Sequence, residues 1–265
     1  MKIVYSHVSN RNRGVNAKQY IELYALSNFL VKKNHPNFQT VFYGDEESLK
    51  LFSNIQFDNF EIISNNILKD IPRELWTLGK LCSMLQVNEP FLHIDGDMLL
   101  FKPLQNNFLN KDIICFHDES FFNHAIDNMQ NVLVIQPEHC QGITPVSYNC
   151  GIFGGQDFKS IHYAINIVLN FVVQNKDNIA NMIKEHKLKK NNYYFDLSIL
   201  VEQVWLFQIL KFLEKEIYSV VRIDNWYESF EKMIKDTGYI HLLSDKKNIY
   251  SEKIKDITNK LNIKY

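Results

Sequence analysis

Short apolar runs alternate with segments of helical spacing from the first residues of this chain. Ile3 to Val8 predicts a strand, and Asn16 to Lys33 a helix with Ile21, Tyr24, Ala25 and Phe29 on one face. Val41 to Tyr43 predicts a second strand, stopped at Gly44-Asp45, with Asp45 placed to cap a short helix through Phe52. Phe60 to Ile63 predicts a third strand, Glu74 to Leu85 a helix, and Phe91 to Ile94 a fourth strand. Strands separated by helices build βαβ units, so the expected fold class is α/β, a mainly parallel central sheet flanked by helices.

After residue 100 the pattern loosens into a smaller, mixed C-terminal part. Short strands are expected at Ile113 to Phe116, Val132 to Ile135, Gly151 to Gly154, Val220 to Ile223 and Tyr239 to Leu243. Helices are expected over Phe158 to Gln174, Asp196 to Leu213, and from Ser251 onward. The Lys-Lys-Asn-Asn stretch at 189–192 reads as an exposed loop, and Trp226, Tyr227 and Phe230 as core or helix-face residues. No repeat or linker divides the chain, so residues 1–265 are expected to form one domain.

Composition changes this picture at three points. Twenty-nine basic against 30 acidic residues leave a net charge of −1, which provides no global field for nucleic acid. Only nine glycines occur, and neither a dinucleotide-binding glycine fingerprint nor a P-loop string is present. Phosphate, if held, must be held by cations. Cys82, Cys115, Cys140 and Cys150 form no C-x-x-C pair and read as buried small apolar residues in a reducing compartment. The N-terminal residues lack a signal-peptide core and no run of 18 apolar residues exists. The expectation is a cytoplasmic chain without a membrane span.

The segment richest in chemistry is Phe91-Leu92-His93-Ile94-Asp95-Gly96-Asp97-Met98-Leu99-Leu100. Random placement of 30 acidic residues yields roughly three acid-x-acid triplets, and Asp45/Glu47 and Glu214/Glu216 are others. Only Asp95 and Asp97 lie between strongly apolar runs, where uncompensated charge is expensive. Carboxylates at the C-terminal end of such a strand face the ligand crevice of an open α/β sheet, and a divalent cation offsets their repulsion. Tyr148 to Gly155 spends three glycines in five positions, which fits a bend or close backbone approach. Glu202-Gln203 interrupts a helix that is apolar around most of its circumference and needs partners. His241 sits inside an apolar strand, followed by Lys246 and Lys247.

Together these segments resemble nucleotide-sugar glycosyltransferases of the GT-A (Rossmann-like) fold, especially glycosyltransferase family 8 with its glycogenin-like and bacterial lipopolysaccharide glycosyltransferase members. The resemblance runs from about residue 75 to 247 and is carried by Asp95-Gly96-Asp97, Asn149-Cys150-Gly151, Glu202-Gln203, and His241 with Lys247. It implies that Asp95, Asp97 and His241 bind Mn²⁺ or Mg²⁺, which grips a nucleotide-sugar diphosphate. It further implies that Lys80, Asp95, Lys246 and Lys247 contact the donor, and that Gln203, Glu202 and Asn149 serve as sugar-pocket and catalytic residues. Residues 1–100 would then form the nucleotide-binding half, and 101–265 the acceptor-side half with the C-terminal metal and phosphate segment. Ser244 stands where the family has glycine, the Pro-Trp after the lysine is absent, and Ser9 to Arg13 lacks the acidic residue expected near the base.

The implied activity is transfer of a hexose from a nucleotide sugar, UDP-linked by resemblance and with retention, to a glycan or lipid-linked acceptor such as a bacterial surface glycan. Peripheral membrane contact is compatible with such an acceptor. Two other readings fit the same architecture: a sugar-nucleotide nucleotidyltransferase, and a non-catalytic nucleotide-sugar or carbohydrate-binding protein. Arg11-Asn12-Arg13-Gly14 carries one glycine where nucleotidyltransferases carry a glycine-rich basic loop.

Overall fold

The computed structural model describes residues 1–9, 17–64, 67–119, 136–141, 146–188, 197–221, 230–242 and 246–263. Its first half runs β1 (Lys2–His7), α1 (Ala17–Asn34), β2 (Gln39–Gly44), α2 (Glu46–Phe52), β3 (Asn59–Ile62), α3 (Leu78–Met84), β4 (Phe91–Ile94) and β5 (Met98–Leu100). The second half runs β6 (Ile113–Asp118), β7 (Tyr148–Gly155), α4 (Phe158–Gln174), α5 (Lys176–Leu188), a π-helical turn (Leu200–Trp205) continued by α6 (Leu206–Phe212), β8 (Ile217–Ser219), α7 (Phe230–Asp236), β9 (Tyr239–His241) and α8 (Ser251–Lys260).

Seven strands form the central sheet in the order β3-β2-β1-β4-β7-β6-β8. All neighbours are parallel except β7, which runs antiparallel to both β4 and β6. The mainly parallel α/β sheet expected from the alternation is therefore present. Strand alternation feeds both faces. Val4 joins Leu78, Leu81, Phe153 and Phe207 on one side, while Ile3 and Tyr5 join Phe42, Phe52, Leu92 and Ile94 on the other. The strand order reverses between β1 and β4. A crevice at the C-terminal ends of those strands is where such sheets take ligands.

The smaller mixed part includes a two-stranded antiparallel ribbon, β5 with β9, in which Met98 lies opposite His241. The helix α1 is sandwiched between ribbon and sheet, which corrects the single apolar face expected of it. Tyr24, Ala25 and Val31 pack toward the sheet, Leu23, Leu26 and Leu30 pack with Leu99, Ile240 and Leu242, and Ile21 and Phe29 are only half-buried. Its polar residues are used as well. Ser27 Oγ donates to the Met98 carbonyl and Asn34 Nδ2 to the Leu100 carbonyl, each at 2.7 Å, satisfying the free edge of β5.

Three further expectations shift. The strand expected at Val220 to Ile223 begins earlier, with Ile217–Ser219 pairing with Ile113–Cys115; Val220 and Val221 N–H still donate to the Cys115 and Phe116 carbonyls, and residues 222–223 lie outside the described residues. The chain turns early because Glu214, at φ 55°, closes α6: Glu214 N–H donates to the Lys211 carbonyl and Lys215 N–H to the Leu210 carbonyl. The helix expected over Glu74 to Leu85 spans Leu78–Met84, and the strand at Gly151 to Gly154 extends to Tyr148–Gly155. α5 lacks a sequence expectation altogether. The strand expected at Val132 to Ile135, the 189–192 loop, and Trp226 and Tyr227 lie outside the described residues, as does the Phe230 side chain. All four cysteines are buried and none forms a disulfide among the described residues, as expected of small apolar residues. Among the described residues no helix is long and apolar enough to cross a membrane.

Asp45 caps α2 as its sequence context predicts, accepting from Ser48 N–H at 2.9 Å and from the Ser9 backbone N–H at 3.0 Å. Burial raises its pKa, but hydrogen bonds from Ser48 and Ser9 outweigh that and hold it below the usual carboxylate range. This contribution is therefore present at neutral pH and is lost as pH falls through the lowered value. Asp45→Ala is expected to cost about 1 kcal/mol at pH 7. In urea melts at decreasing pH, the gap to wild type should close. A gap independent of pH would remove the carboxylate from this role.

Candidate functional site

The turn after β4 places both carboxylates at the C-terminal end of that strand, beside the point where the strand order reverses. Asp95 N–H donates to the Gly151 carbonyl at 2.9 Å, which ties the turn to β7, and Met98 N–H donates to the Asp95 carbonyl at 2.9 Å. Gly96 lies on the Tyr24 ring: a Cβ there would meet the ring at 2.1 Å. Tyr24 is itself fixed by its hydroxyl, which donates to the Ser6 carbonyl at 2.7 Å. Gly96→Ala should therefore cost about 1–3 kcal/mol by overpacking, read as a lower urea midpoint at unchanged slope. A midpoint equal to wild type would refute the contact.

His241 reaches this turn through the ribbon. The β5–β9 ladder extends past His241, with Leu242 N–H donating to the Asp97 carbonyl at 3.0 Å. The His241 Nε2 atom lies 3.3 Å from Asp97 Oδ1 and 3.6 Å from Asp95 Oδ2. The other oxygen of each carboxylate is taken by a lysine. Lys80 Nζ is 2.7 Å from Asp95 Oδ1, and Lys247 Nζ is 2.5 Å from Asp97 Oδ2. One oxygen from each aspartate and one imidazole nitrogen thus converge, with ligand atoms within 4.8 Å of one another. Two oxygens and an imidazole nitrogen suit a divalent cation such as Mn²⁺ or Mg²⁺.

The electrostatics follow from this packing. Burial raises the Asp95 carboxyl pKa, yet Lys80 first and His241 next bring it well below the ordinary value. Asp97 is also lowered, with Lys247 and His241 outweighing burial. Burial disfavours a charged His241, but Asp97 and Asp95 overcome it and raise its pKa. His93, on β4, is pushed down to about 3 by burial and by Lys80, so it is neutral, with Nε2 2.8 Å from Ser6 Oγ. Glu202 is 2% exposed and its pKa is raised by burial, although Lys80 Nζ sits 2.6 Å from its Oε1. The Lys80 ammonium also donates to the Cys150 carbonyl at 2.6 Å.

The whole chain, residues 1–265, matches a protein family described as a family of unknown function, DUF6734. The chain belongs to that family. No curated protein matches it. Among solved structures it is similar to the galactosyltransferase LgtC in complex with donor and acceptor sugar analogues. That likeness has a TM-score of 0.54 and 12% identity, over 98% of this chain and 96% of that one. An active-site mutant of LgtC is similar at a TM-score of 0.53 and 14% identity, with the same coverage. This DUF6734 chain therefore has the GT-A fold, a fold it shares with a glycosyltransferase.

Most of the residues singled out in the sequence meet in this one cluster. Asp95, Asp97, His241 and Lys247 cluster there, and Lys80 joins Asp95 to Glu202. Asn149 is buried against His241 rather than open to the crevice, its Oδ1 2.9 Å from His241 Nδ1. Gly151 is required beside this contact, since a Cβ would meet His241 Nδ1 at 2.7 Å. Gln203 is half-buried on the π-helical turn and, among the described residues, makes no hydrogen bond or ion pair with the cluster. Lys246 opens a one-turn helix, Lys246–Ile249, and its side chain lies outside the described residues, as does Ser244. Glu119 carries no sequence expectation, although its place after the apolar strand Ile113 to Phe116 repeats the strand-then-acid pattern of Asp95.

Proposed function

We propose that this chain is a metal-dependent glycosyltransferase that moves a hexose from a nucleotide sugar, UDP-linked, to a glycan or lipid-linked acceptor with retention of configuration. The observation that carries the reading is the convergence of Asp95 Oδ2, Asp97 Oδ1 and His241 Nε2 at the switch point of a GT-A fold. Similarity to LgtC, solved with donor and acceptor sugar analogues, supports the same substrate class. Bound there, Mn²⁺ or Mg²⁺ would supply Lewis-acid stabilisation of the charge growing on the leaving diphosphate.

The chain's own residues would do the rest. Lys80 donates to Asp95 and the Cys150 carbonyl and is ion-paired with Glu202, all within 2.7 Å, so its part is to orient Asp95 and balance Glu202 rather than to reach for donor. Lys247 holds Asp97 and, with Lys246 beside it, brings positive charge to the diphosphate. Gln203, less buried than Glu202 on the same turn, would face the sugar while Glu202 backs it. Asn149 acts through His241. Residues 1–100 would hold the nucleotide and 101–265 the acceptor and the metal and phosphate segment.

The test is a panel of nucleotide sugars with Mn²⁺, monitored for release of nucleoside diphosphate. Release that requires the metal is the expected result. Pyrophosphate release from a nucleoside triphosphate and a sugar phosphate would replace this reading with nucleotidyl transfer. Binding with no hydrolysis or transfer of any donor would make the chain a binding protein.

A further inference from the structure

A chain of hydrogen bonds, buried from Asn149 onward, leads from Glu119 to the proposed cation site. Glu119 Oε1 accepts from Asn149 Nδ2 at 2.8 Å. Asn149 Oδ1 accepts from His241 Nδ1 at 2.9 Å and from Gly151 N–H at 2.9 Å. Glu119 is pinned in turn by its own backbone N–H, which donates to the Ser147 carbonyl at 2.8 Å. Asn149 is 1% and His241 4% exposed, so neither group has bulk water as an alternative partner.

The orientation of the amide decides what His241 presents. A carboxylate only accepts, so Glu119 takes the NH₂ end of Asn149. Gly151 N–H takes the oxygen end, and the same oxygen then receives the proton of His241 Nδ1. The nitrogen left to face Asp95 Oδ2 and Asp97 Oδ1 is Nε2. Were Asn149 reversed, its NH₂ would confront Gly151 N–H, and His241 would have to keep its proton on Nε2, pointing at the cation position. A metal-ligating histidine needs its second nitrogen held in this manner to fix both tautomer and ring direction.

We propose that Glu119 is a positioning residue that sets His241 for cation binding through Asn149. The inference rests on the reading of Asp95, Asp97 and His241 as a cation site. His117 Nε2 lies 3.6 Å from the same Glu119 oxygen and forms part of its buried surroundings.

The test titrates Mn²⁺ alone, without nucleotide, into wild-type, Asp97→Asn, Glu119→Gln and Glu119→Ala chains by calorimetry. Wild-type uptake that Asp97→Asn abolishes establishes the site, whereas a wild-type chain that takes up no Mn²⁺ removes both the site and this role. Given uptake, Glu119→Ala is expected to weaken Mn²⁺ binding roughly ten- to a hundredfold. Glu119→Gln, whose amide oxygen still accepts from Asn149, should stay within about threefold of wild type. A second readout is ¹⁵N NMR of the Mg²⁺-loaded chain. His241 should keep a slowly exchanging proton on Nδ1 in the wild-type and Glu119→Gln chains and lose that protection in Glu119→Ala. Three results overturn the positioning role while leaving the site intact: an Ala chain that binds like wild type, a Gln chain as weak as Ala, or a proton on Nε2 in the loaded wild type. The last needs no variant, so it decides the matter even where Glu119→Ala fails to fold.

Discussion

Asp97→Asn is expected to lower sugar transfer about a thousandfold, since Lewis-acid stabilisation worth several kcal/mol depends on its charge. The substitution keeps the shape of the turn and both of its backbone bonds, Met98 N–H to the Asp95 carbonyl and Leu242 N–H to the Asp97 carbonyl. It removes the negative charge that faces His241 Nε2 at 3.3 Å and Lys247 at 2.5 Å. The loss should therefore appear in kcat and in Mn²⁺ affinity, while the melting temperature moves by only a few degrees. Initial rates at rising Mn²⁺, paired with thermal melts of the same preparations, separate the two. A variant within tenfold of wild type at every Mn²⁺ concentration would take Asp97 out of the cation site.

Lys80→Met should have the largest effect on stability. It strands Glu202, 2% exposed, without the cation 2.6 Å from its Oε1. Breaking a buried pair from one side costs about 3–5 kcal/mol, because the remaining charge has neither water nor partner. At a few degrees per kcal/mol for a chain of this size, the melting temperature should fall by about 10 °C. The pH dependence has a definite sign. Burial raises the Glu202 pKa, and Lys80 is the main influence opposing that rise, so the variant raises it further in the folded state. A group whose folded pKa is raised favours folding below its unfolded pKa and loses that contribution as pH rises. The deficit of the variant should thus be larger at about pH 8 than at about pH 5. Glu202→Gln in the same chain should recover much of the loss at the higher pH. A pH-independent deficit that Glu202→Gln does not reduce would show that the stranded Glu202 charge is not the source of the loss.

Both predictions involve residues that stand out in the linear sequence, yet their partners do not. Lys80 belongs to a helix predicted from spacing, and nothing local announces that its ammonium reaches Asp95, Glu202 and the Cys150 carbonyl at once. Glu202 announces itself as a polar break in an apolar helix. The structure adds that Leu200–Trp205 is π-helical there, a distortion that periodicity at 3.6 residues per turn does not reveal. Asn149 and Gly151 stand out because glycines gather beside them, and their common purpose is to let the His241 ring lie against the strand.

The amino-acid order by itself determines the α/β alternation, the Asp45 cap and the placing of Asp95 and Asp97 at the end of an apolar strand. Each is a matter of periodicity or of neighbours a few residues apart, and local sterics and burial decide such features. Tertiary structure alone decides that β7 runs against the sheet, that the β5–β9 register sets His241 beside Asp97, and that Glu119 reaches His241 through Asn149. Those contacts join residues far apart in the chain. Their geometry exists only once strand order and ladder register have been chosen, and that choice belongs to the packing of the whole sheet rather than to any segment of it.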